Sequence, residues 1–225
     1  MLKIRHTLDQ EIEVGIDEAG RGPLWGPLYA AAVIWVPEED MSEEQLQIAP
    51  LIKDSKKLSE KRRTVLASSI KDLALDWGIG SVTPAEIDEL GMTKANQLAF
   101  TRALGKLSVV PDRLLIDGCL SIYDAPWGLT EQVVEPEADN HYLPVAAASI
   151  LAKTEHDEWI RQFCDVNPDV VEKYDLMSNK GYGTLKHRSG ILKWGEHHLH
   201  RKLFLRKLQA SQQTAGDSLL EAMDP

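Results

Sequence analysis

The sequence predicts an α/β or α+β layer fold, one sheet covered by helices, and three observations carry that reading. Apolar runs of strand length recur along the chain, at residues 11–17, 28–36, 74–82 and 113–117, with a shorter one at 132–135. The first two are joined by a tight turn, and the third follows them in sequence as another strand. The later ones are separated by stretches with helical periodicity, as in a sheet covered by helices. Finally, acids stand at or just past strand ends: Asp17 with Glu18, then Asp117 and Asp139. In open sheets, sites form where such ends converge.

The elements follow in order. Residues 11–17 and 28–36 (LYAAAVIWV) are joined by the Gly/Pro-rich turn GRGPLWGP, which favours an antiparallel pair. Asp40 to Gln47 is polar and acidic, a loop or short helix. Ser59 is placed to cap a helix in which Leu66, Ile70 and Leu73 repeat at helical spacing, leaving Lys57, Lys61 and Arg62 off the apolar stripe. The third strand spans 74–82. Pro84 opens a helical region that Gly91 divides and that ends near Leu107. Val145 to Phe163 has the clearest helical pattern in the chain, with Ser149, Lys153 and His156 sharing one face. Lys153 and Asp157 are spaced for a surface ion pair. Asn179 to His187 is a glycine-bearing loop with an exposed tyrosine. Gly190 to Gln209 is basic and expected helical, with His197, His198 and His200 on its polar face.

At 225 residues with 43% hydrophobic and 27% charged side chains, the chain can bury a sizeable core. A catalytic domain is expected over 1–209, its C-terminal helical segment covering about 165–209. Residues 210–225 read as a flexible tail. No signal-peptide core or membrane-length apolar run is visible, and two cysteines make no disulfide framework, so a cytoplasmic location is expected. Cys119 reads as a small buried residue.

Net charge is −10, which argues against nucleic acid until the distribution is considered. Residues 53–63 hold six Lys/Arg against two acids, and residues 180–207 hold eight against Glu196 alone. Two readings stand: one phosphate-facing surface, or two solvated helix faces.

The adjacent acids Asp17-Glu18, followed by Gly20-Arg21-Gly22, also admit two readings. One is an ordinary strand end with solvated carboxylates. In the other, carboxylates gathered at one point repel each other unless a cation neutralises them. Oxygen-only donors favour Mg²⁺ or Mn²⁺, two of which can assist an in-line displacement at a phosphate. Because neighbours on a strand alternate sides, at least one of the pair is expected at the strand end. Tyr182, between two glycines, either stacks on a sugar or base or closes over the core.

Six stretches carry a family resemblance: GIDEAGRGP (15–23), DSKKLSEKRR (54–63), EIDEL (86–90), LLIDG (114–118), AAASILAKTEHD (146–157) and NKGYGT (179–184). Together, and in this order, they resemble ribonuclease HII, the type 2 ribonuclease H family. The resemblance implies a ribonuclease H-like fold, with a mixed five-stranded sheet, three antiparallel strands and then parallel ones, flanked by helices, and a C-terminal helical segment that helps hold a duplex. It implies cleavage of the RNA strand of RNA–DNA hybrids and nicking 5′ of single ribonucleotides in duplex DNA, with 3′-hydroxyl and 5′-phosphate products. By resemblance Asp17, Glu18, Asp117 and Asp139 are the catalytic and metal-binding acids, served by Mg²⁺ or Mn²⁺, two ions during catalysis. Gly20, Arg21, Gly22 and Tyr182 meet the RNA–DNA junction, and Lys56, Ser149 and Lys153 join them in substrate binding. Asp157 falls in a family block as a structural residue. The chain departs from the family pattern at Glu137, His156, His197 and Leu203. The expected partners are hybrid and ribonucleotide-containing duplexes, with no membrane, and the expected state is a monomer. Another acid-site nuclease of this fold, such as a junction resolvase, and a non-catalytic nucleic-acid binder are the alternatives.

Overall fold

The computed structural model describes residues 2–128 and 130–206. The tail expected over 210–225 lies outside the described residues. Five strands form one sheet: β1 (Glu13–Ala19), β2 (Leu28–Ile34), β3 (Asp76–Val82), β4 (Arg113–Asp117) and β5 (Glu131–Glu135), in the order β3-β2-β1-β4-β5. β1 pairs antiparallel with β2, and β2 with β3, whereas β4 runs parallel to both β1 and β5. The expected three-then-two arrangement is what the chain adopts. β2 lies inside the sheet and is covered on both faces, which is why it reads as a continuous apolar run rather than an alternating one.

Helix α5 (Leu143–Val166) covers one face of the sheet, and α4 (Met92–Leu104) covers the other. α5 lies close on β1 because Gly15 has no side chain: a Cβ there would collide with the Pro144 carbonyl and the Val145 amide. The other helices are α1 (Glu43–Ile48), α2 (Glu60–Leu73), α3 (Pro84–Leu90), α6 (Pro168–Tyr174), α7 (Leu176–Asn179) and α8 (Leu185–Trp194). Ser59 caps α2, and a Thr83/Glu86 capping box opens α3, which Gly91 at φ 77° separates from α4. β3 begins two residues later than expected, since Ala74 still donates its amide to Ile70 of α2.

One helical expectation fails. Gly190 to Gln209 is not a single helix. α8 starts earlier, capped by Thr184, and stops at Gly195 with φ 80°, a conformation glycine adopts without strain. Residues 195–201 run without helix, and a new helical turn starts at Lys202. Its first amides, from Lys202 and Leu203, donate to Asp88 of α3 at 3.0 and 2.8 Å. The EIDEL stretch thus anchors the C-terminal segment, and Leu203, a departure from the family pattern, meets Asp88 through its main chain. A third, small core forms around Trp25 of the β1–β2 turn, packed by Ile160, Cys164, Val170, Tyr174 and Leu176. It ties that turn to the C-terminal helices. Among the described residues no helix is long and apolar enough to cross a membrane.

Candidate active site

β1 and β4 are parallel, with Ile16 beside Ile116, so the next positions, Asp17 and Asp117, stand side by side on one sheet face. β1 does not end at the acids. It continues to Ala19, which pairs with Tyr29, because β2 supplies partners that far. The expectation of an acid at the strand end is therefore corrected: alternation sends the two carboxylates to opposite faces. Asp17 turns toward α5 and the Ser149 hydroxyl, while Glu18 turns toward α4, where Asn96 Nδ2 lies 3.5 Å from Oε2.

Asp139 arrives from a loop. Beyond β5 the chain reverses through Glu137 at φ 60° into a short 3₁₀ turn, Ala138–Asn140. The Ala138 amide donates to Asp117 Oδ1 at 2.7 Å and so fastens the turn to the end of β4. Asp139 is buried. Asn140 donates to its Oδ1 at 3.1 Å, and its Oδ2 is buried with no partner. Glu137 itself is exposed, and the charges acting on Asp139 are those of Asp117, Asp54 and Lys56.

These carboxylates resist ionisation. Burial raises the Asp17 pKa well above the usual range, and the charges of Glu18 and Asp117 add to it. Burial also raises Glu18, against the opposing pull of Arg21 and Asn96. Asp117 rises by burial as well, and Asp139 goes up to about 6 through burial and then its neighbours Asp117 and Asp54. Burial works against the charge of Lys56, yet Asp139, Asp54, Asp17 and Asp117 outweigh it and raise its pKa. Lys56 therefore balances the cluster. Its position comes from Asp54, whose carboxylate accepts the Lys56 amide at 2.9 Å.

Oxygen donors with one oxygen left orphaned are the donor set of a hard divalent cation. Among the described residues no three His, Cys, Asp or Glu side chains already enclose one point. Mg²⁺ needs no such cage, because it keeps waters and takes substrate oxygens. A stability test follows. The folded state holds the Asp139 proton at about 6 against 3.8 for a free carboxyl, so this group's contribution is greatest below the lower value. It is lost as pH rises toward the upper one. A divalent cation removes that deficit, so millimolar Mg²⁺ or Mn²⁺ is expected to raise Tm by a few degrees at pH 8. The gain at pH 5 is expected to be clearly smaller. Equal gains at both pH values, by calorimetry, would count against a cation on these acids.

Beside the acids, the β1–β2 turn and the Tyr182 loop form a second group. Gly20 has φ 88°, and a Cβ there would sit 2.5 Å from the His156 ring. The family departure at His156 thus lies beneath the turn, fully buried. Gly22 leaves room for the Tyr182 ring, 3.4 Å from where a Cβ would be. Arg21 is exposed, with Nη1 3.6 Å from Glu18 Oε1. Tyr182 is 42% exposed, so it does not close over the core, and Lys153 Nζ lies 5.9 Å from its ring centre.

The α5 face carrying Ser149, Lys153 and His156 points to this region. Ser149 Oγ lies 3.0 Å from Ser55 Oγ. Lys153 Nζ donates to Asp157 Oδ1 at 2.6 Å, and Arg63 donates to Oδ2 at 3.1 Å. Asp157 is buried, so the expected surface ion pair is instead an internal hub. Burial would raise its pKa, but hydrogen bonds from His156 and Lys153 prevail and hold it down to about 2.

Three further expectations are corrected. Cys119 is exposed, since the chain leaves β4 at Gly118 toward solvent. His200 and His197 are not on a polar helical face. His200 is buried against His187, and His197 Nδ1 accepts the Trp25 indole N–H at 3.2 Å; only His198 is exposed. Sequence reasoning also passed over three groups. Asp54 was visible as an acid inside a basic run. Asn96, buried in α4, left no signal. Arg201 is fully buried and donates to the carbonyls of Gly26, Pro27 and Arg21 at 2.8, 2.9 and 3.3 Å. Burial lowers its pKa to about 9.

Sheet order, strand directions and the acids at adjoining parallel strands define the class: a ribonuclease H-like fold with an acid-lined hydrolase site. The ribonuclease HII family model matches residues 14–207. A ribonuclease HII of Prochlorococcus marinus is 43% identical over 195 residues, covering 87% of this chain and 96% of that protein. The crystal structure of the ribonuclease H2 from Pyrococcus horikoshii superposes with a TM-score of 0.69 at 26% identity, over 85% of this chain and 93% of that one. Bst-RNase HIII in complex with Mn²⁺ shares the fold, with a TM-score of 0.62 at 20% identity, over 84% and 71% of the two chains. The chain belongs to the ribonuclease HII family, and it is a ribonuclease H enzyme.

Proposed function

We propose that this enzyme hydrolyses the RNA strand of RNA–DNA hybrids and nicks duplex DNA on the 5′ side of a single embedded ribonucleotide. The products carry 3′-hydroxyl and 5′-phosphate ends, and the biological role is removal of ribonucleotides from DNA. The observation that carries this reading is the juxtaposition of two groups: repelling carboxylates on β1, β4 and the turn after β5, and a glycine turn held against an exposed tyrosine.

Asp17, Glu18, Asp117 and Asp139 would hold two Mg²⁺ or Mn²⁺ ions. Bound there, such ions activate a water and stabilise the leaving oxygen of an in-line displacement. The chain's own residues do the rest. Lys56, next to the acids, meets the scissile phosphate, and Ser149 keeps Asp17 oriented from α5. Gly20, Arg21 and Gly22 bring main-chain groups within reach of a ribose 2′-hydroxyl, which distinguishes RNA from DNA by donating and accepting at once. Tyr182 packs on the sugar at that junction, with Lys153 beside its ring.

The test is a duplex with one ribonucleotide beside an all-DNA control. Cleavage of the first alone, dependent on Mg²⁺ or Mn²⁺, is the expected result. Equal cutting of both would favour a nuclease indifferent to the sugar, such as a junction resolvase. Cutting of neither with Mn²⁺ present would leave a non-catalytic binder.

A further inference from the structure

A row of imidazoles, the half-buried His197 and the buried His200 and His187, joins the β1–β2 turn to the Tyr182 loop, and the cleavage chemistry makes no use of it. The Trp25 indole donates to His197 Nδ1, and the His197 main-chain N–H donates to His200 Nδ1 at 2.7 Å. A backbone N–H can only donate, so His200 Nδ1 carries the lone pair and the proton sits on Nε2. That Nε2 lies 3.0 Å from His187 Nε2. At the other end His187 Nδ1 lies 2.9 Å from the Tyr182 carbonyl oxygen, which can only accept, so His187 is protonated on Nδ1. Its Nε2 is then free to accept from His200. The His197 carbonyl oxygen also approaches His200 Nδ1, at 3.2 Å, but the shorter 2.7 Å contact from the amide decides the tautomer, and the bonds then run one way, His200 to His187 to the Tyr182 carbonyl. The same carbonyl also accepts the Thr184 amide at 2.8 Å. Both rings are almost fully buried, and the Tyr174 ring packs edge-on against His200 at 4.9 Å. Burial lowers both pKa values, in keeping with neutral rings.

We propose that His187 and His200 are positioning residues for ribose recognition: the pair acts as a strut that holds the Tyr182 main chain so that its ring stays against Gly22. Neither imidazole touches the nucleic acid, since both are buried. Both ends of the strut reach a sugar-reading element, because Trp25 belongs to the turn that carries Gly20–Gly22. This rests on the reading of Tyr182 and that turn as substrate contacts.

Two experiments test it. Nitrogen-15 NMR of the full chain reads imidazole tautomers directly in the wild type; His187 as Nδ1–H and His200 as Nε2–H are expected, and His187 as Nε2–H would overturn the strut. In steady-state cleavage of a ribonucleotide-containing duplex, His187→Phe keeps an aromatic ring but loses both nitrogens. Its KM is expected to rise about tenfold with kcat within about twofold, the size of one lost buried hydrogen bond. His187→Asn retains an N–H near the Nδ1 position and should restore most of that loss. Because the effect passes through the tyrosine, His187→Phe should add nothing in a Tyr182→Ala background. Additive losses would place the effect elsewhere and overturn the proposal. A raised KM in Tyr182→Ala with an unchanged one in His187→Phe would remove the strut and leave the substrate reading standing. An unchanged KM in Tyr182→Ala would sink that reading, and the role of the strut with it.

Discussion

Asp17→Asn is expected to lower single-turnover cleavage by roughly 10³-fold or more, the scale for losing a group that organises charge at a reacting phosphate. The same variant is expected to fold at least as well as the wild type. Asp17 is buried beside Glu18 and Asp117, and its charge opposes both. An amide of the same shape removes one member of the repelling group, keeps an oxygen for the Glu18 amide that Oδ1 accepts at 2.7 Å, and asks for no counter-ion. The cation-free variant should therefore melt at the same temperature or higher at pH 8, and duplex binding in chelator should survive. Activity and stability moving in opposite directions is the signature. Wild-type cleavage in Asp17→Asn would remove Asp17 from the reaction, and a Tm lowered by several degrees would refute the account of repulsion.

The parts of the fold legible in the sequence were those governed by local pattern. β2 is covered on both faces, so its composition alone marks it as a strand, and α5 shows itself in an alanine-rich run whose small side chains lie against the sheet. The acids at 17 and 117 stood out because each ends an apolar run, whereas Asp139 was found just past a short candidate strand through the family resemblance. What local pattern could not supply was pairing at long range. Nothing near Asp17 says that Asp117 is its lateral neighbour; that comes from the β1–β4 register, a hundred residues apart. Asn96 was invisible for the same reason, since only the packing of α4 brings it to Glu18. The C-terminal segment was misread because basic composition was taken for a solvated helix. Gly195 marked the stop, while His200 is buried against His187, and His197 and Arg201 are held by groups far away in sequence, the Trp25 indole and the carbonyls of the first turn. Where burial of polar groups depends on remote main chain, composition points the wrong way.

Arg201 is the most exacting of those cases. It is fully buried, and among the described residues no carboxylate pairs with it; three carbonyls of the β1–β2 turn share its guanidinium instead. A charge with no counter-ion persists in a core only if its hydrogen bonds are well made, and the lowering of its pKa to about 9 reports the tension. Arg201→Met fills most of the space but leaves the carbonyls of Arg21, Gly26 and Pro27 without these donors. At about 1–3 kcal/mol for each buried group left unpaired, partly offset by relief of the isolated charge, a loss of roughly 3–5 kcal/mol is expected in urea unfolding. Arg201→Lys keeps the charge but cannot reach three carbonyls from one ammonium, so it should recover less than half of the loss. The consequence for activity is directional. Gly20 to Gly22 belong to the turn that Arg201 holds, whereas Asp117 and Asp139 are held by β4 and the Ala138 amide. At a temperature where the variant remains folded, discrimination between a ribonucleotide-containing duplex and DNA should therefore fall further than the rate on an RNA–DNA hybrid. A destabilisation below about 1 kcal/mol, the scale of one ordinary hydrogen bond, would show that the turn holds its shape without the buried guanidinium.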